Sequence, residues 1–180
     1  GASYAISKIL AQHRGNTNPV FVTATDGNHG KAVAWAAAQE GCRAVVFMPK
    51  GSKECRVEAI RSIGNTIVEV TEMNYDDTVR HAYNYALKHG YYLVQDTGFE
   101  GYEEIPQAIT LGYTTMAAES IKQLQLQGIK RPTHVFLQAG VGSMAGGVLG
   151  YLADYFGEDL PQTTIMEADD AACIFESVKS

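Results

Sequence analysis

The sequence predicts an α/β fold: an open, mostly parallel sheet with helices on both faces, followed by part of a second α/β domain. Short β-branched apolar runs alternate with longer segments of helical period. The connections between them are brief and punctuated by Gly and Pro. Hydrophobic residues make up 46% and charged residues 19% of 180 positions, enough to bury a core.

Residues 2–12 have helical spacing. Val20 to Ala24, after Pro19, is a β-branched strand run. Gly27 and Gly30 interrupt it, and Lys31 to Glu40 is an Ala-rich helix stopped by Gly41. Arg43 to Met48 is a second buried strand, closed by Pro49 and Gly51. Ser52 to Ile63 is a helix ended by Gly64. Thr66 to Val70 is a third strand, Asp76 to His89 a helix stopped by Gly90, and Tyr91 to Gln95 a fourth strand. Such alternation predicts parallel strands joined by right-handed crossovers.

The pattern breaks at Asp96–Pro106, DTGFEGYEEIP, an acidic, Gly-containing stretch that reads as a functional loop or an interdomain crossover. Gln107 to Gln127 is then a long helix and Thr133 to Gln138 a strand. Gly140 to Gly147 is a glycine-rich turn, Val148 to Phe156 a helix, Thr163 to Glu167 a strand, and Ala171 to Val178 the start of another helix. The expected division is a small α/β domain over 1–98 and an incomplete large α/β domain over 99–180.

Composition narrows the function classes. Fourteen Lys and Arg against twenty Asp and Glu give a net charge of −6, so there is no basic excess to neutralise a nucleic acid or an anionic membrane. No apolar run approaches the roughly 18 residues of a membrane span. No signal peptide is visible at the start, and a reducing cytoplasm is the expected compartment. Cys42, Cys55 and Cys173 form neither a CxxC pair nor a disulfide framework. The histidines include no HExxH, and His81 and His89 read as solvated residues on a helix; no metal site is expected.

Two loops have the chemistry to hold a ligand. Thr23 to Gly30 joins a strand to a helix, where ligands bind in open α/β sheets. The helix start offers amide groups and positive partial charge suited to a carboxylate. Gly27 and Gly30 allow close backbone approach, while Asp26, Asn28 and His29 add polarity. Thr25 or Asp26 could instead simply cap the helix. The second loop, Gln138 to Gly147, carries Gly140, Gly142, Gly146 and Gly147 with Ser143, a pattern for an anion nest. It also fits a nucleotide-binding α/β module, with Glu167 as a ribose-binding acid, or mere close packing. Lys31, in a first helical turn, and Lys50 and Lys53, beside an exposed turn, read as solvated.

These loops, in this order, resemble the fold-type II pyridoxal-phosphate enzymes of the tryptophan synthase beta-like family. The likeness runs through TDGNHGKAVAWAAAQEG, VVFMPKGSKECRVEAIRSIG and the glycine loop. Asp26, the segment QDTGFEGYEEIP over 95–106, and QAGVGSMAGG over 138–147 bring the chain nearer to the ammonia-lyases that act on diaminopropionate. The resemblance implies α,β-elimination of 2,3-diaminopropionate to pyruvate and ammonia with pyridoxal 5′-phosphate. It implies Asp26 as the base for the D-substrate, and Asn28, Gly140, Val141, Gly142, Ser143 and Met144 as cofactor ligands. Thr25, Gly27 and His29 would face the substrate, a small amino acid. It further implies a homodimer, and a Schiff-base lysine lying before Gly1, so that the chain is expected to be an internal fragment. A serine or threonine dehydratase-like lyase is the other enzyme reading.

Overall fold

The computed structural model describes residues 1–15 and 17–179. Its elements are α1 (Ala2–Gln12), β1 (Val20–Ala24), α2 (Asn28–Gln39), β2 (Arg43–Met48), α3 (Glu54–Arg61), β3 (Thr66–Val70), α4 (Tyr75–His89), β4 (Tyr92–Leu93), α5 (Glu104–Leu126), β5 (His134–Gln138), α6 (Ser143–Phe156), β6 (Gln162–Met166) and α7 (Cys173–Lys179). The chain divides into two compact units, Ala2–Ala108 and Gly1 with Ile109–Ser180.

In the first unit four parallel strands lie in the order β3-β2-β1-β4. The chain steps outward from β1 to β3, then returns to the other side of β1. A right-handed crossover places a helix on a face set by the direction of the step, so the reversal moves α4 to the opposite face. The packing follows: α1, α2 and α3 associate on one side, and α4 covers β1, β2 and β4 on the other. The reversal leaves a crevice between the carboxyl ends of β1 and β4, the topological switch point where doubly wound sheets bind ligands.

β1 is buried at every position, as a central parallel strand covered on both faces must be. Val20, Val22 and Ala24 pack with Val45 and Phe47 against Ala82 and Ala86 of α4. β3, at the edge, is mostly exposed. α4 has regular ends: Asn74 accepts the Asp77 amide, and Gly90 closes the helix with φ 66°.

In the second unit β5 and β6 pair in parallel, and β5, β6 and α6 enclose a core with Ala117 and Ile121 of α5. Gly147 lies so near this helix that a Cβ there would stand 2.3 Å from the Thr110 carbonyl oxygen.

Several boundaries move. α2 starts at Asn28 rather than Lys31, and α6 at Ser143 rather than Val148, so Gly146 and Gly147 are helical. α5 starts at Glu104, ahead of Pro106, because proline is tolerated in a first helical turn. His81 is half-buried, its ring edge-on to Phe47 at 4.7 Å, so it is a packing residue rather than a solvated one. His89 is exposed but stacks on Tyr91.

Candidate functional site

Thr25 to Gly30 sits at the carboxyl end of β1. Thr25 is buried, and its Oγ1 accepts the Gly27 amide at 2.9 Å and the Gly30 amide at 3.2 Å. This hydroxyl therefore shapes the loop and serves the first turn of α2. Gly27 occupies the cap position with no side-chain cap. Gly30 is required by contact: a Cβ would stand 2.3 Å from Thr25 Cγ2 and 2.9 Å from Val46 Cγ1. Asp26 and Asn28 are exposed. With Gly27, Lys31, Cys55 and Arg56 they line a cleft of about 220 Å³. Arg56 reaches Asp26 from α3, its Nη1 3.0 Å from the Asp26 carbonyl oxygen and 3.3 Å from Oδ1.

His29 turns the other way, into the switch crevice. Its Nε2 donates to the Val94 carbonyl at 2.8 Å, and its Nδ1 faces Asp96 Oδ2 at 3.6 Å. Asp96 Oδ1 accepts from Gln95 Nε2 at 3.2 Å, and the same nitrogen donates to Tyr75 OH at 3.3 Å. Gln95 Oε1 accepts from Thr23 Oγ1 and from the Ala24 amide. Burial, then the Asp96 carboxylate, pushes the Tyr75 phenol up to about 12. Tyr102 OH accepts the Gln95 amide at 2.8 Å and donates to the Leu93 carbonyl at 3.0 Å; burial pushes this phenol up as well.

Gln95, Asp96, Tyr75, Tyr102 and Arg56 were not marked as site residues by sequence. The available signal was the unusual 95–106 segment, which holds three of them.

The second unit carries the glycine loop between β5 and α6. Gly142 has φ 92°, a left-handed conformation that favours glycine. The first hydrogen bond of α6 runs from the Gly146 amide to the Gly142 carbonyl at 2.8 Å. The amides of Gly142, Ser143, Met144 and Ala145 thus lie ahead of the helical ladder, at its positive end. A Cβ at Gly140 would meet nothing within 4 Å, while the Gly140 carbonyl accepts from Cys173 Sγ at 3.0 Å. The set of amides fits a phosphate group.

Glu167 is not placed as a ribose-binding acid. Its two oxygens accept the Ile174 and Phe175 amides at 2.9 and 2.8 Å, where it caps α7. Lys31, Lys50 and Lys53 are exposed, and Lys50 pairs with Glu72 at 3.0 Å. Among the described residues no cluster of three His, Cys, Asp or Glu side chains could hold a metal ion. None of the described helices is long and apolar enough to cross a membrane.

The family model described as pyridoxal-phosphate dependent enzyme matches residues 1–180. Diaminopropionate ammonia-lyase of Escherichia coli (strain K12) is 47% identical over 98% of this chain and 48% of its own length. The Salmonella typhimurium protein of that name is 51% identical over 88% of the chain and 39% of its own length. A crystal structure of the Escherichia coli enzyme in complex with D-serine, 46% identical, superposes with a TM-score of 0.92 over 98% of this chain and 49% of that one. The chain spans about half the length of these relatives.

Proposed function

The chain belongs to the pyridoxal-phosphate-dependent enzyme family, and on that premise we propose that its full-length protein eliminates ammonia from 2,3-diaminopropionate, leaving pyruvate. The observation that carries this reading is Asp26, an exposed carboxylate beside the amide-rich start of α2 at the end of a central strand. Identity to two ammonia-lyases of that specificity supports it.

In this reading the residues have distinct tasks. The backbone of Thr25 to Gly27 receives the substrate carboxylate, the Thr25 hydroxyl holding that backbone in shape. Asp26 takes the α-proton of the D-substrate, and a separate base serves the L-substrate. His29 ties the loop to Val94. Gly140, Val141, Gly142, Ser143 and Met144 hold the cofactor phosphate, and Asn28 faces its ring oxygen. The cofactor, when bound, supplies the electron sink for the carbanion. The first compact unit, Ala2–Ala108, acts as the small domain, and the second acts as part of the large one. The protein is a cytoplasmic homodimer that acts on a small amino acid, and the net charge of −6 speaks against nucleic-acid and anionic-membrane partners.

Asp26→Ala in the full-length protein tests this. Turnover of D-2,3-diaminopropionate is lost while the L-isomer is spared. Equal loss on both hands removes this role from Asp26, and preference for L-threonine over either isomer favours a dehydratase.

A further inference from the structure

We infer that Arg56 is a positioning residue for Asp26: it holds the carboxylate in the orientation from which it takes a proton. The inference rests on the reading of Asp26 as the base for the D-substrate.

The loop around Asp26 is built from its backbone. Thr25 Oγ1 gathers the amides of Gly27 and Gly30, which fixes the main chain on either side. Neither bond reaches the Asp26 side chain, which is exposed and would otherwise sample several rotamers. Arg56 provides the missing restraint. One nitrogen, Nη1, donates to the Asp26 carbonyl at 3.0 Å and to Oδ1 at 3.3 Å. Binding main chain and carboxylate of one residue together restricts the torsions between them. It engages Oδ1, which leaves Oδ2 as the oxygen suited to accept a proton.

Arg56 is itself well anchored. Its amide bonds the Lys53 carbonyl at 2.9 Å, and α3 is pinned by buried Val57 and Ile60. Its stem runs past Gly27, where a Cβ would come 3.7 Å from Arg56 Cδ. The Arg56 side chain therefore crosses the loop where no side chain stands in the way.

Stability is not the use of this pair. The two side chains are 50% and 69% exposed, and ion pairs so exposed contribute little to folding. Geometry is a different matter. A general base must lie within hydrogen-bond reach of its proton, and a misplacement of about 1 Å can cost on the order of 10²-fold in rate.

The test is Arg56→Gln in the full-length enzyme, read against Asp26→Asn. We expect kcat for D-2,3-diaminopropionate to fall about 10- to 100-fold with KM unchanged, and kcat for the L-isomer to stay within about twofold. Retained L-turnover shows that the variant folds. A crystal structure of the variant should show the Asp26 carboxylate displaced or spread over rotamers, with the Thr25 hydrogen bonds intact. Arg56→Lys keeps the charge on a more flexible stem of different reach and should show a smaller, still D-selective loss. Should Arg56→Gln fail to fold, Arg56→Lys decides alone. Equal loss on both isomers, a change confined to KM, or D-turnover within twofold of wild type overturns the inference. If Asp26→Asn itself spares D-turnover, the underlying reading fails, whatever Arg56 does.

Discussion

The side chain of Gln95 bonds the backbone of Ala24: its Oε1 accepts the Ala24 amide at 3.0 Å. A neighbouring strand would ordinarily take that amide. β4 follows β1 only through Tyr92 and Leu93, with one further bond from the Val94 amide to the Val22 carbonyl. The chain then turns away, because the Gln95 amide donates to Tyr102 OH instead of to β1. The Gln95 side chain completes the ladder in place of its main chain. This frees the strand end to place Asp96 opposite His29.

Gln95→Leu should therefore be strongly destabilising. Gln95 is fully buried, and its amide group bonds Thr23, Ala24, Tyr75 and Asp96. Leucine leaves the buried Ala24 amide without its acceptor and takes from the Thr23 hydroxyl its bond to Oε1. A loss of about 3 kcal/mol is expected, since each buried polar group left unmatched costs about 1–3 kcal/mol. Urea unfolding should show a lower midpoint at constant slope. An unchanged midpoint would show that water replaces the amide at no net cost.

Gly30→Ala should loosen the first loop. The new methyl would lie 2.3 Å from Thr25 Cγ2 and 2.9 Å from Val46 Cγ1. Thr25 must then shift, and its hydroxyl leaves the Gly27 and Gly30 amides. Overpacking of this kind costs about 1–3 kcal/mol. Faster hydrogen exchange at Gly27 and Gly30, against unchanged exchange in β2, is the expected signature.

Gly142→Ala should weaken cofactor binding. At φ 92° a Cβ is strained, and it would also meet Ile174 Cδ1 at 3.2 Å. A non-glycine residue held in left-handed backbone costs about 1–2 kcal/mol. The dissociation constant for pyridoxal 5′-phosphate, titrated by absorbance in the full-length protein, should rise about tenfold, as about 1.4 kcal/mol corresponds to. Unaltered affinity would remove this loop from the phosphate site.

Tyr75→Phe should flatten the alkaline loss of stability. The fold holds the phenol neutral, with its pKa raised from 10 to about 12 by burial and then by Asp96. That contribution is complete below pH 10 and is lost as pH rises towards 12. Wild-type unfolding free energy should fall more steeply across this window than that of the variant. Tyr102, shifted in the same direction by burial, accounts for part of the slope that remains. Identical slopes would show that the Tyr75 phenol titrates as it does in the unfolded chain.

The order of elements was legible in the sequence because it follows from local periodicity. Val20 to Ala24, Arg43 to Met48 and Thr66 to Val70 are strands with the expected ends. Each is a short run rich in apolar and β-branched residues, bounded by turn residues, and that signal is local in the chain. The two strand-to-helix loops were legible as well, since glycines and small polar residues break the period between a strand and a helix. Helix starts were less so: first turns tolerate Asn28, Ser143 and Pro106, which read as loop residues.

What only the tertiary structure decided is which groups meet. Arg56 lies 30 residues from Asp26, and Gln95 lies 71 from Ala24. Glu167 likewise caps α7, a task that its spacing from the glycine loop gave no reason to expect. No periodic pattern encodes the first two pairings. They follow from the strand order β3-β2-β1-β4, which sets the start of α3 beside one side of the β1 loop and the end of β4 beside the other. The sequence thus determined the fold class and the acid at position 26. The reversal of the sheet at β1 decided what surrounds that acid, because hydrogen bonds and ion pairs act over a few ångströms of space whatever the distance along the chain.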